Sequence, residues 1–196
     1  MSTPLRLIVG IGNPGEQYAR TRHNAGAWFV SAFAAQLGVQ FKNEKKFFGH
    51  VAVAQYEQQE LRLLIPKTYM NESGKAVGAI AHFYKLQPEQ ILIAHDELDL
   101  PSGAIRFKQG GGLAGHNGLR DITRALGGSQ DYNRLRIGVG HPGAKTDVVG
   151  HVLSTVSRAD EELIHRCLDE ALHFMPMAAR GEWELAMNSL NGFNAG

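Results

Sequence analysis

The sequence predicts an α/β fold: a single three-layer α/β/α domain over residues 1–196, with helices flanking a twisted mixed β-sheet. Three observations predict it. The largely apolar residues 5–9 and 91–94 have the length of buried strands, and residues 135–139 read as a further strand. Helical patterns separate these runs, as connections between parallel strands require. Residues 50–55 and 61–65, rich in apolar and β-branched types around a polar turn, read as an antiparallel hairpin.

The first strand ends at Gly10. Residues 25–37 carry Trp28, Phe29, Phe33 and Leu37 at helical spacing, and Gly38 supplies a C-terminal stop. After the hairpin, Ser73 is expected to cap a helix through Val77, Ile80, Ala81 and Tyr84, with Pro88 just past its end. The strand at 91–94 leads into His95-Asp96-Glu97-Leu98-Asp99-Leu100-Pro101. A turn at 101–103 precedes a strand over 104–108. The glycine-rich stretch 110–118 precedes a helix over 119–126, stopped by Gly127 and Gly128. Ser157-Arg158-Ala159-Asp160 is a capping box opening a long helix, which Pro176 is expected to kink or end. The segment from about 157 to 196 is expected to pack on or cover the domain. No internal repeat or long linker divides the chain.

Composition excludes several classes. With 43% hydrophobic and 20% charged residues, the chain is globular rather than disordered. Cys167 is the single cysteine, so no intrachain disulfide forms and a reducing cytoplasm is the expected location. No charged segment precedes a long apolar stretch, which argues against a secretory signal or a membrane partner. Net charge is only +1, but its distribution is uneven. Residues 1–150 hold 17 Lys/Arg against 12 Asp/Glu, and residues 151–196 hold 3 against 7. A basic body with an acidic C-terminal segment suits a polyanion, although uneven surface charge without function gives the same count.

Gly10-Ile11-Gly12-Asn13-Pro14-Gly15 matches the dinucleotide fingerprint, yet that reading fails. The helical pattern begins about ten residues too late, Pro14 removes an amide donor, and nothing acidic occurs between Glu16 and Glu44 to hold a ribose. What the glycines support is a tight turn at a strand end, the edge where ligands gather in open α/β sheets. Asn13 projects from that turn, and an Asn that merely satisfies a turn is the bland alternative.

Of nine histidines, His23 and His116 stand at the mouths of predicted helices, and Asp96 directly follows a buried strand. A histidine beside a carboxylate suits general-base chemistry, because the carboxylate fixes the tautomer and steadies the imidazolium. His23 and Asp96 also suit helix caps. No nucleophile elbow is present, and Cys167 has carboxylates nearby that do not favour a thiolate. No metal site with recognisable spacing is found, so no metal is expected and an activated water is left as nucleophile. Asn13, Asn24, Asn71 and Asn117 suit ester, ribose and peptide recognition. Arg106, Lys108 and Arg136 lie near the glycine-rich loop and are candidate phosphate contacts, or a solvated basic surface.

Together these segments resemble the bacterial-type peptidyl-tRNA hydrolases. The matching stretches are Val9-Gly10-Ile11-Gly12-Asn13-Pro14-Gly15, Thr21-Arg22-His23-Asn24-Ala25-Gly26, Pro66-Lys67-Thr68-Tyr69-Met70-Asn71-Glu72-Ser73-Gly74 and His95-Asp96-Glu97-Leu98-Asp99-Leu100-Pro101. They continue through residues 110–118 and 134–142 in order and spacing. The resemblance implies a monomeric cytoplasmic hydrolase without cofactor or obligate protein partner, which recycles tRNA by cutting the ester between a peptide and the 3′ ribose. It implies His23 as general base, Asp96 as its supporting carboxylate, and Asn13 as the residue that separates blocked from free amino groups. It implies that Tyr18, Tyr69, Asn71 and Asn117 contact the tRNA end and peptide, and it leaves His116 as a supporting candidate. A non-catalytic tRNA-binding module is the rival reading; it keeps the basic face but has no need of a His–Asp pair.

Overall fold

The computed structural model describes residues 2–196. Its centre is a seven-stranded mixed sheet in the order β2-β3-β4-β1-β5-β7-β6. The strands are β1 (Leu7–Gly10), β2 (Lys42–Glu44), β3 (Gly49–Tyr56), β4 (Gln59–Pro66), β5 (Ile91–Glu97), β6 (Ile105–Gln109) and β7 (Asn133–Gly138). β4, β1, β5 and β7 run parallel; β3 pairs antiparallel with β4, β2 with β3, and β6 with β7. The four residues of β1 and all seven of β5 are buried, as central strands covered on both faces must be.

One apolar layer holds Ile8, Phe29, Phe33, Leu92, Leu135 and Leu168, from the sheet, α1 (Ala25–Leu37) and α5 (Arg158–Ala179). The opposite layer joins Val9, Ile93, Val77, Ile80, Leu119 and Ile122, from the sheet, α2 (Ser73–Phe83) and α3 (Asn117–Ala125). A short α4 (Val148–Val152) and a C-terminal α6 (Trp183–Leu190) complete the helices. The Asn191 side chain donates to the Phe107 carbonyl and accepts from its amide at 3.0 and 2.8 Å. That contact occupies the edge of β6, a row otherwise open to pairing.

Four details differ from the sequence reading. Ser73 does not cap α2: it is the first helical residue, and its hydroxyl donates to the Met70 carbonyl. The Gly74 amide is capped by Asp121 from α3, at 2.7 Å. α3 begins at Asn117 because His116 caps it, accepting from the Gly118 and Leu119 amides. β5 runs on through Glu97, since β7 pairs alongside as far as Gly138. α5 continues past Pro176 to Ala179, where buried Met175, Ala178 and Ala179 hold the last turn in place. The Ser157 cap itself forms, accepting from the Asp160 amide at 3.1 Å.

Candidate active site

Two glycines seat the first turn of α1 against the sheet. A Cβ on Gly26 would overlap the Ala94 carbonyl of β5, and one on Gly10 would overlap the Gly26 carbonyl. Only hydrogen at these positions permits so close an approach. The 3-10 turn Arg22–Asn24 that leads into α1 therefore lies directly over the end of β5.

There His23 Nδ1 meets the Asp96 carboxylate at 2.9 and 3.0 Å. His116 Nε2 approaches the same carboxylate from α3 at 2.8 Å. Because His116 Nδ1 accepts the Gly118 and Leu119 amides at 3.1 and 3.4 Å, its proton must sit on Nε2, which donates to Asp96. That tautomer also decides the metal question for this trio, whose ligand atoms lie within 4.8 Å of one another. A nitrogen that already carries a proton offers no lone pair, so the cluster is built to donate protons to a carboxylate rather than to grip a cation.

Asp96 is 3% exposed. Burial alone would raise its carboxyl; His116 and His23, by charge and hydrogen bonding, outweigh that and hold it well below the usual carboxylate range. It stays ionised, so His23 is held with Nδ1 protonated and Nε2 as its remaining basic nitrogen. His95, next along β5, is fully buried; burial first, then His116, push it down to about 3. It is a neutral ring, its Nδ1 2.9 Å from the Asp96 carbonyl and its Nε2 without a protein partner.

His23, Asp96 and His116 line a cavity of about 480 Å³ with Asn13, Tyr69, Asn71 and Asn117, a size within the usual range for ligand sites. Asn13 is fixed on three sides. Its backbone is clasped by the Asn24 side chain, and its Oδ1 accepts the Met70 amide at 2.7 Å. With Oδ1 committed, the Asn13 group left for a ligand is its NH₂. Asn71, in the 3-10 turn Met70–Glu72 before α2, and Asn117, the first residue of α3, are exposed.

The remaining sequence candidates lie outside. Tyr18 stands behind Tyr69, ring edge to face, with centroids 6.5 Å apart. Arg106 faces Arg136, and Lys108 faces Arg134, across the β6–β7 pair. Arg136 is committed to Glu97 at 2.8 Å, and Arg106 donates to the Ile105 and Phe193 carbonyls. Lys108 lies against Gly111 of the glycine-rich loop. No residue beyond Leu153 lines the cavity, so the C-terminal helices do not cover it.

Sequence reasoning missed the apolar wall made by Leu98, Val148, Val149, Val152 and Leu153. Val149 is 67% exposed. The signal was available: four apolar residues at helical spacing in a segment with little else to bury. Arg22 fastens this wall to the His23 turn, donating to the Ser154 hydroxyl while its amide bonds the Ser154 carbonyl.

The fold is shared with proteins of known family. The model of the family described as Peptidyl-tRNA hydrolase matches residues 7–195. The peptidyl-tRNA hydrolase of Alcanivorax borkumensis is 55% identical over 195 residues, covering 100% of both chains. That of Aeromonas hydrophila is 51% identical, covering 100% of this chain and 98% of its own. The crystal structure of peptidyl-tRNA hydrolase from Acinetobacter baumannii superposes with a TM-score of 0.96 at 46% identity, covering 100% of this chain and 99% of that one.

Proposed function

The chain belongs to the peptidyl-tRNA hydrolase family, and from that premise we propose that His23 is the general base of its reaction. The activity is hydrolysis of peptidyl-tRNA, which releases the tRNA. Supporting this assignment is one observation above the rest: His23 Nδ1 is tied to an ionised, buried Asp96, leaving Nε2 to accept a proton within the cavity.

The steps follow from that geometry. Nε2 takes a proton from water as its oxygen attacks the acyl carbon joining peptide and 3′ ribose. The charge on the tetrahedral oxygen is met by amide N–H donors, for which Asn71 and Asn117 are the candidates, each worth about 3 kcal/mol. The bond from acyl carbon to ribose oxygen then breaks, and the proton on Nε2 returns to the departing oxygen. Asp96 stabilises the imidazolium between these steps. Asn13 donates its NH₂ to the carbonyl of the blocked amino group. Tyr18 and Tyr69 support the tRNA end, and Lys108 with Arg106 and Arg136 meets phosphates. The protein acts as a cytoplasmic monomer on peptidyl-tRNA, and no step calls for a metal or cofactor. Among the described residues no helix is long and apolar enough to cross a membrane.

The test is hydrolysis of N-acetyl-aminoacyl-tRNA in ¹⁸O-enriched water. One labelled oxygen is expected in the carboxyl group of the released acid and none in the tRNA. Tight tRNA binding without release would leave a binding module; trapping of the acyl group by hydroxylamine only after transfer to the protein would replace the water mechanism with a covalent one.

A further inference from the structure

Tyr69 is shared between the catalytic cavity and a second cleft of about 500 Å³. Lys45, Lys67 and Lys75 line that cleft together with Phe48 and Thr68, and Glu72 is the one acidic residue among its lining. Its two aromatic rings are unusually accessible: Phe48 is 40% exposed and Tyr69 55%. Lys75 Nζ stands 4.6 Å from the centre of the Phe48 ring, so the cation and the ring are presented together.

The backbone marks Phe48 as well. It holds φ at 53°, a conformation uncommon for a bulky side chain, and does so at the surface, where packing in the core does not require that ring. Hydrogen bonds from its amide to the Lys45 carbonyl and from the Lys67 amide to its own carbonyl keep it there. The Thr68 hydroxyl, in the wall of the same cleft, is buried without a protein partner.

We propose that this cleft holds the single-stranded 3′ end of the tRNA next to the scissile ester, with bases against Phe48 and Tyr69 and phosphates at Lys45, Lys67 and Lys75. The inference rests on the hydrolase reading above. Stacking platforms flanked by cations are how proteins hold single-stranded nucleic acid irrespective of sequence. The peptide portion of the substrate has no fixed negative charge to reward three lysines, whereas every nucleotide of the RNA carries one. Contact through Tyr69 puts the cleft one side chain away from the cavity in which the ester is cut.

The experiment compares esters of one N-acetyl-amino acid with adenosine and with the trinucleotide CCA, in wild type, a Lys45→Ala/Lys75→Ala variant and Phe48→Leu. Wild type is expected to prefer the trinucleotide ester in kcat/KM, and both variants to narrow that preference, the double variant by about tenfold. A preference equal to wild type in both variants overturns the inference. So does a result in which the variants instead lose discrimination between one- and two-residue acyl groups on adenosine, which would make the cleft a peptide groove. Wild-type protein that hydrolyses N-acetyl-aminoacyl-tRNA but neither short ester overturns this inference alone; hydrolysis of none of the three overturns the hydrolase reading, and this inference with it.

Discussion

Asn13 illustrates how a single side chain acquires a direction. Met70 takes its oxygen, so what Asn13 offers the cavity is an NH₂ group. A donor there pairs with the carbonyl of a blocked amine and gives an ammonium nothing, since that cation must shed water without compensation. Asn13→Asp keeps an acceptor for the Met70 amide but replaces the donor by a carboxylate. It is expected to narrow the kcat/KM ratio between N-acetylated and free aminoacyl-tRNA further than Asn13→Ala does. Equal proportional losses on both substrates would mean that Asn13 supports the loop and does not read the amine. His95 gives a second prediction, in stability. Its folded value of about 3 lies below the unfolded value of about 6.5, so the unfolded chain binds more protons between them and stability falls as pH falls through that window. About 2 kcal/mol is expected to disappear between pH 7 and pH 5. Asp96, also depressed, loses its contribution only in stronger acid. His116, Asp96 and Arg134 supply the charges around His95. Urea titrations at the two pH values check this, and His95→Asn should flatten the difference; an undiminished difference would place the titrating group elsewhere.

At the scale of elements, the close seat of α1 on β1 and β5 carries the site. Gly26→Ala is expected to force α1 outward, costing about 1–3 kcal/mol as overpacking does and lowering kcat by displacing His23 from Asp96. A variant of unchanged melting temperature and turnover would show that the helix shifts freely. The same elements show what a sequence exposes and what it hides. α1 with its Gly38 stop and the β3–β4 hairpin were legible because each is specified locally, by period, glycine and turn chemistry. The cap of α2 was not, because the acceptor is Asp121, 47 residues away. His116 was expected at a helix mouth but not as the cap itself; imidazole is an uncommon cap, and Asp96 fixes the tautomer that makes it one. Pro176 obeys no local rule here, because buried Met175, Ala178 and Ala179 on either side of it override the break. His23, Asp96 and His116 were each singled out from loop position. Their convergence on one carboxylate depends on strand order, which no local pattern carries.

Over the whole molecule, the basic body includes two clusters, the three lysines beside Tyr69 and the pairs facing each other across β6 and β7. If tRNA phosphates reach the second region, Lys108→Ala should flatten the slope of log K against log salt by about 0.7–0.9 units. Arg136→Ala should do less, since Glu97 already holds that guanidinium; unchanged slopes in both would move the tRNA body off this edge. With Asp96 held ionised, Asp96→Asn should lower kcat/KM by releasing His23 from the tautomer that leaves Nε2 as its basic nitrogen. The most direct measurement of the central claim is single-turnover hydrolysis of N-acetyl-aminoacyl-tRNA by His23→Ala, with tRNA affinity measured in parallel. The account predicts a rate at least about 100-fold below wild type with affinity essentially retained. Near-normal turnover would contradict it and transfer the role of base to another group of the cavity, His116 first.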